Sequence, residues 1–164
     1  MPIRLNKRVS VVLSSVKKLP ASRSFLLRVG GEILRVLGKK RYGVNFCFVS
    51  DAEIRRMNRR FKKKDRVTDV LAFGQLEGPR LPSTDAHELG DVVISADAAR
   101  REALRYGNTP LGELVFYMIH GVLHLANYDD TSPSSRLRMR AKEEWTMKRL
   151  EKRFPRWRFR KPKR

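Results

Sequence analysis

The chain has 164 residues, enough for one domain with a buried core and too few to divide comfortably into two. Its hydrophobic fraction is 41%, and no apolar run approaches the ~20 residues needed to cross a bilayer, which excludes a helical membrane span. Lys and Arg number 37 against 17 Asp and Glu, and a net charge of +20 on so small a chain favours a polyanionic partner.

In chain order, a strand is expected near residues 8–13 and a helix over roughly 21–38, where "SFLLRVGGEILRVLG" carries a spaced apolar stripe. "GVNFCFVS" (43–50) reads as a strand rich in β-branched and aromatic residues. Ser50 and Glu53 form the Ser-x-x-Glu capping-box pattern, so a helix starts at once. "TDVLAF" (68–73) is a short strand, residues 74–88 read as a loop, and "ELGDVVIS" (88–95) is another strand. A helix over about 96–106 stops at "YGN". Pro110 suits the first turn of a long helix ending near Leu125, and a last helix spans about 134–153. Strands alternating with helices predict an α+β fold with α/β-like layering. The expected unit is one domain over residues 1–153, with a small mixed sheet of about four strands packed against helices, and a basic tail over 154–164.

The charge is clustered. Residues 55–66, "RRMNRRFKKKDR", hold eight basic residues and one acid, and residues 136–164 hold fourteen basic and three acidic ones. The tail "RFPRWRFRKPKR" interleaves Arg with Phe and Trp, which suits phosphate contacts and base stacking together. Membrane binding wants a broad apolar helix face, which this Pro-broken tail lacks, so RNA is preferred to a lipid surface. The first 31 residues contain seven basic residues and no acid, as an organellar targeting segment would, but their strand and helix patterns place them in the fold. The single cysteine, Cys47, cannot form an internal disulfide, in keeping with a reducing compartment.

Two of the three histidines stand four apart in "FYMIHGVLHLANYDD" (116–130). Positions i and i+4 share one helix face, so His120 and His124 can reach a common atom. They are either a hydrogen-bonded pair on a half-buried helix or two metal ligands, and their spacing among so few histidines favours ligation. A catalytic site needs a third protein ligand. Asn127 can adopt the left-handed conformation that ends the helix, after which Asp129 and Asp130 offer carboxylates. The residue after His120 is Gly121, so this is not the H-E-x-x-H protease pattern.

These residues carry a resemblance. "HGVLHLANYDD" is similar to the H-G-x-L-H-L-x-G-Y-D-H run of the YbeY family, metal-dependent endoribonucleases of ribosomal RNA maturation. "MNRRFKKKDRVTDVLAF" resembles that family's L-N-x-x-Y-R-x-K-D-x-x-T-D-V-L-S-F stretch, and "ELGDVVIS" its L-G-D-I-x-I-S strand. The likeness covers roughly residues 43–145. It departs at three places that bear on chemistry: the family's third histidine ligand falls at Asp130, its arginine at Lys62, and its Ser-Phe-Pro at Ala72-Phe73-Gly74.

The resemblance implies a single-strand-specific RNA hydrolase with one divalent metal, Zn²⁺ first and Mn²⁺ or Fe²⁺ as alternatives. His120, His124 and Asp130 are its expected ligands, and Lys62 its catalytic cation. Asp129 is expected to brace the site or simply to end the helix, and Thr68 and Asp69 to brace the strand beneath the site or merely to cap it; the net charge and the neighbouring Lys62 favour an RNA groove at Arg59, Arg60, Lys63 and Lys64 over a solvated helix face. Asn58 and Phe61 match family positions, Phe61 as core. Asp91, in an apolar strand, is expected to have a partner, and His87 to lie on the surface. Expected partners are precursor rRNA of the small ribosomal subunit and, through the family, a ribosomal protein or assembly GTPase, with no membrane. The expected location is the bacterial cytoplasm, with an organelle matrix as the lesser alternative. An anionic ligand at position 130 leaves less net charge on the metal, so a catalytically weakened RNA-binding assembly factor is the competing reading. Hydrolysis of a small substrate is a third reading, disfavoured by the charge.

Overall fold

The structure is a computed structural model that describes residues 8–74 and 88–157. Residues 1–7, 75–87 and 158–164, with His87 and most of the 74–88 loop, lie outside the described residues. The elements follow as β1 (Val9–Leu13), α1 (Arg23–Val36), β2 (Gly43–Val49), α2 (Asp51–Lys62), β3 (Val70–Gly74), β4 (Glu88–Ser95), α3 (Ala96–Tyr106), α4 (Pro110–Leu125) and α5 (Pro133–Arg153). Each expected helix and strand is present, with bounds that agree or move by one or two residues. The chain is an α+β fold.

The strands form one mixed sheet in the order β1-β2-β4-β3. β1 and β4 both run parallel to β2, whereas β3 pairs antiparallel with β4. The pleat sends alternate side chains to opposite faces, and two separate cores result. Val44, Phe46 and Phe48 of β2, with Val92 and Ile94 of β4, join the large cluster beneath α1, α4 and α5. Val49, Leu71, Phe73 and Val93 face the other way and pack with Ile54 of α2. Phe61 packs there too, its ring edge-on to Phe73 at 5.4 Å between centroids. α4 is buried on nearly every side, since it crosses the sheet and also carries α3 and α5.

Two glycines permit close approach. Gly121 lies so near β4 that an added Cβ would stand 2.3 Å from Val92 Cγ1. Gly90 sits at φ +139° with Phe73 O only 2.0 Å from where a Cβ would be. The glycine that separates the histidine pattern from a protease motif is therefore a packing requirement: α4 lays position 121 directly on Val92 of the sheet.

Helix ends follow the caps read from sequence. Ser50 accepts a hydrogen bond from Glu53 N at 3.3 Å, but Glu53 does not complete a reciprocal box. Its carboxylate pairs with Arg56 instead, and the Ser50 N–H donates to Ser15 Oγ at 3.1 Å. The reciprocal box occurs on α5, between Ser132 and Ser135. Asp91 has its partner: Asn45 Nδ2 donates to Asp91 Oδ1 at 2.9 Å, and Ser10 Oγ donates to Asn45 Oδ1 at 2.5 Å. These three residues lie in register across β1, β2 and β4. Burial raises the Asp91 pKa, with the Glu88 charge adding to it and the Asn45 bond opposing.

Candidate metal centre

The last turn of α4 and the turn after it build the site. α4 starts at Thr109, whose hydroxyl accepts from Gly112 N at 2.9 Å, with Pro110 in the first turn. It ends where Asn127 takes φ +67°. Tyr128 N donates to Leu123 O at 3.0 Å and Asn127 N to His124 O at 3.0 Å, the paired bonds of a Schellman stop. Tyr128 packs back on the large core, and the reversal carries Asp130 to the mouth of the histidine face.

His120 and His124 face each other, with Nε2 atoms 3.1 Å apart. One ligand atom from each of His120, His124 and Asp130 lies within 4.8 Å of the others, the imidazoles half-buried and the carboxylate exposed. Tetrahedral Zn–N bonds of about 2.1 Å would set neighbouring ligand atoms roughly 3.4 Å apart, so the imidazole pair stands close to metal-binding spacing. This cluster could hold a metal ion.

The donor chemistry fits as well. His120 Nδ1 lies 2.6 Å from Glu143 Oε1 of α5, and Glu143 is buried. A carboxylate accepts only, so Nδ1–H of His120 donates to it, which leaves the Nε2 lone pair of His120 directed at the site. The His124 pKa is lowered, first by burial and then by the neighbouring His120, which keeps it neutral and able to donate electrons.

Glu143 was not foreseen. It is 23 residues from His120 on another helix, and only packing of α4 on α5 joins them. Its trace in the sequence is local: among Met139, Thr146, Met147 and Leu150, all buried, an acid stands inside the inward stripe of α5. A carboxylate in such a stripe calls for a polar partner.

Two openings meet at His120. The larger, about 890 Å³, is bordered by Lys62, Lys64, Arg66, Thr68, His124 and Asn127. Asn58, 3% exposed, shapes this basic edge by donating to Arg66 O at 3.0 Å, while its own carbonyl accepts from Lys64 N at 3.3 Å. Lys62 Nζ sits 5.5 Å from the Phe73 ring centroid. Of the cations expected to hold RNA, Lys64 lines this groove with Lys62, whereas Arg59, Arg60 and Lys63 do not. Arg66, not singled out from sequence, does. Lys63 instead forms the left-handed end of α2 at φ +59°.

The smaller opening, about 400 Å³, lies between α4 and α5 and includes Asp69, His120, Asp130, Arg136 and Glu143. Thr68 and Asp69, expected to act together, thus border different openings, joined by a 3.4 Å hydrogen bond from Thr68 Oγ1 to Asp69 Oδ1. Asp129 turns away from the cluster: its Oδ1 accepts from Thr131 N at 3.1 Å and Thr131 Oγ1 at 2.8 Å. Its pKa is lowered by hydrogen bonding, first from Ser135 and then from Thr131.

A family profile described as endoribonuclease YbeY matches residues 22–151. A protein named endoribonuclease YbeY from Pelotomaculum thermopropionicum is 41% identical over 135 residues, 79% of this chain and 87% of that one. A protein of the same name from Desulforamulus reducens is 40% identical, over 65% of this chain and 71% of its own length. The solution structure of a Thermotoga maritima protein aligns with a TM-score of 0.58 at 27% identity, covering 90% of this chain and 91% of that one.

Proposed function

This chain belongs to the endoribonuclease YbeY family, and on that premise we propose that it is a metal-dependent endoribonuclease that hydrolyses single-stranded RNA phosphodiesters in ribosomal RNA processing. The observation that carries this reading is the convergence of His120, His124 and Asp130 on one point, with Glu143 behind His120. A bound divalent metal, Zn²⁺ before Mn²⁺ or Fe²⁺, would supply an activated water and polarise the phosphodiester.

The residues divide the remaining work. His120 and His124 offer neutral nitrogen, Asp130 offers a carboxylate, and Glu143 fixes the tautomer and ring angle of His120. Lys62, Lys64 and Arg66 offer the phosphate backbone positive charge along the larger groove, and Lys62 offsets charge that develops during reaction. Lys62 gives that charge without the bidentate geometry of an arginine. With a metal bound, the Asp130 carboxylate would leave the centre a lower net charge than three histidines would, which would make a bound water less acidic and displace the pH–rate profile upward. The substrate is an rRNA precursor of the small subunit, and a ribosomal protein or assembly GTPase would present it. No helix among the described residues is long and apolar enough to cross a membrane, and a cytoplasmic site of action is proposed with the function.

Cleavage of a single-stranded rRNA fragment by metal-loaded wild type and by Asp130→Ala tests the reading. Loss of cutting in the variant supports it. Tight RNA binding by a metal-loaded wild type that never cuts would leave only the assembly-factor role.

A further inference from the structure

We propose that the cleft between α4 and α5 is a nucleotide subsite, which takes the base next to the scissile phosphate on the side away from Lys62. The proposal rests on the endoribonuclease reading and adds to it where the second half of the substrate lies. A bond cut inside a strand has a nucleotide on each side, and the structure has two openings that meet at His120. Their chemistry differs. The groove with Lys62, Lys64 and Arg66 is edged with cations and suits a backbone.

The second cleft suits a base. Phe116, 9% exposed, lines its inner wall, backed by Met139 and Met147, which are almost wholly covered, so the floor of the cleft is apolar and the Phe116 ring edge is its most open part. Its volume of about 400 Å³ lies within the range of small-ligand pockets and is too small for a folded partner. Carboxylates of Asp69 and Glu144 also line it. They would repel a phosphate inside the cleft but accept hydrogen bonds from an exocyclic amino group, as carboxylates do with cytosine N4. The phosphate is then confined to the rim, where the exposed guanidinium groups of Arg136 and Arg140 stand. Arg136 is tied to the centre, since its Nη1 donates to Asp130 O at 3.3 Å. Arg140 stands one helical turn further along α5, at the rim of the same cleft. The subsite therefore prefers cytosine, adenine or guanine to uracil.

The test couples one residue to one nucleotide. Short single-stranded RNAs are made with a neutral methylphosphonate linkage, or with an abasic residue, on one or the other side of the position cut by wild type, and fluorescence anisotropy gives Kd for wild type, Arg140→Lys and Arg140→Ala. Arg140→Ala is expected to weaken intact RNA about tenfold. It should have no further effect on RNA whose cleft-side linkage is neutral, while RNA neutral on the Lys62 side should still lose the full factor. Arg140→Lys should fall between. Wild type should bind RNA that is abasic on the cleft side about tenfold more weakly than intact RNA. Equal weakening of the intact and both neutral-linkage RNAs by Arg140→Ala, or wild-type binding of cleft-side abasic RNA as tight as that of intact RNA, would overturn the subsite and leave Arg140 as general positive charge. If wild type binds RNA without cutting it, the endoribonuclease reading fails separately. The same series, placed by trimming the bound RNA from each end, still decides the subsite.

Discussion

His120 Nδ1 and Glu143 Oε1 lie 2.6 Å apart, joining α4 to α5 at the one point where the histidine pair needs orientation. α4 and the turn after it supply the candidate ligands, and α5 supplies the carboxylate behind His120. The buried carboxylate selects which imidazole nitrogen keeps a proton and holds the ring against rotation. Glu143→Gln, which preserves shape and can still accept, is expected to retain the fold and to lower metal affinity by about 10–100-fold. Competition against a chromogenic chelator measures this, and unchanged affinity would make Glu143 a packing residue only.

Lys62 stands at the position where the resemblance puts the family's arginine, and it borders the basic groove. Lys62→Ala should reduce kcat/KM on single-stranded RNA by about 10²-fold, the usual cost of removing one donor to a developing anion. Lys62→Arg should match or exceed wild type, because the planar fork restores bidentate contact. An alanine variant with wild-type kcat/KM would remove Lys62 from the chemistry.

Gly121 reports on the packing against the sheet of α4, the helix that carries the histidines. In Gly121→Ala the new methyl would meet Val92 Cγ1, which belongs to the buried face of β4. The cost of such overpacking is about 1–3 kcal/mol. Thermal unfolding should show a Tm several degrees lower, together with weaker metal retention as α4 shifts. A Tm equal to wild type would mean that α4 stands further from the sheet.

Cys47 gives a pH-dependent outcome. Burial, then the charges of Asp91 and Glu53, push its thiol up to about 11 from an ordinary 9.0. The folded state therefore holds the proton more tightly than the unfolded chain. The stability this contributes is complete below pH 9 and is lost as pH rises through about 11. A thiol reagent at pH 8 should label native protein far more slowly than denatured protein, and fast labelling of native protein would place Cys47 at an open surface.

Much of this molecule was legible because it is locally encoded. Ser50 and Pro110 mark helix starts, and Gly107 and Asn127 mark stops, each through backbone chemistry within a few residues. The i, i+4 spacing of His120 and His124 is local in the same sense. Glu143 is not, since its role exists only after α5 folds across α4. The basic run shows the same limit. Charge density nominated Arg59, Arg60 and Lys63, but the end of α2 and the Asn58 hydrogen bond to Arg66 O decide which cations reach the groove. Arg136 and Arg140 were hidden in a helix dense with cations, where periodicity alone could not separate the site-facing pair from the rest.

Metal stoichiometry bears on all of this at once. Purified wild type, saturated with Zn²⁺ or Mn²⁺ and freed of excess, is predicted to hold one equivalent by elemental analysis. His124→Ala is predicted to hold none while remaining folded by circular dichroism. A wild-type protein that stays metal-free at saturation, or a His124→Ala variant that loads as fully as wild type, would contradict a cation gripped by two imidazoles and the Asp130 carboxylate.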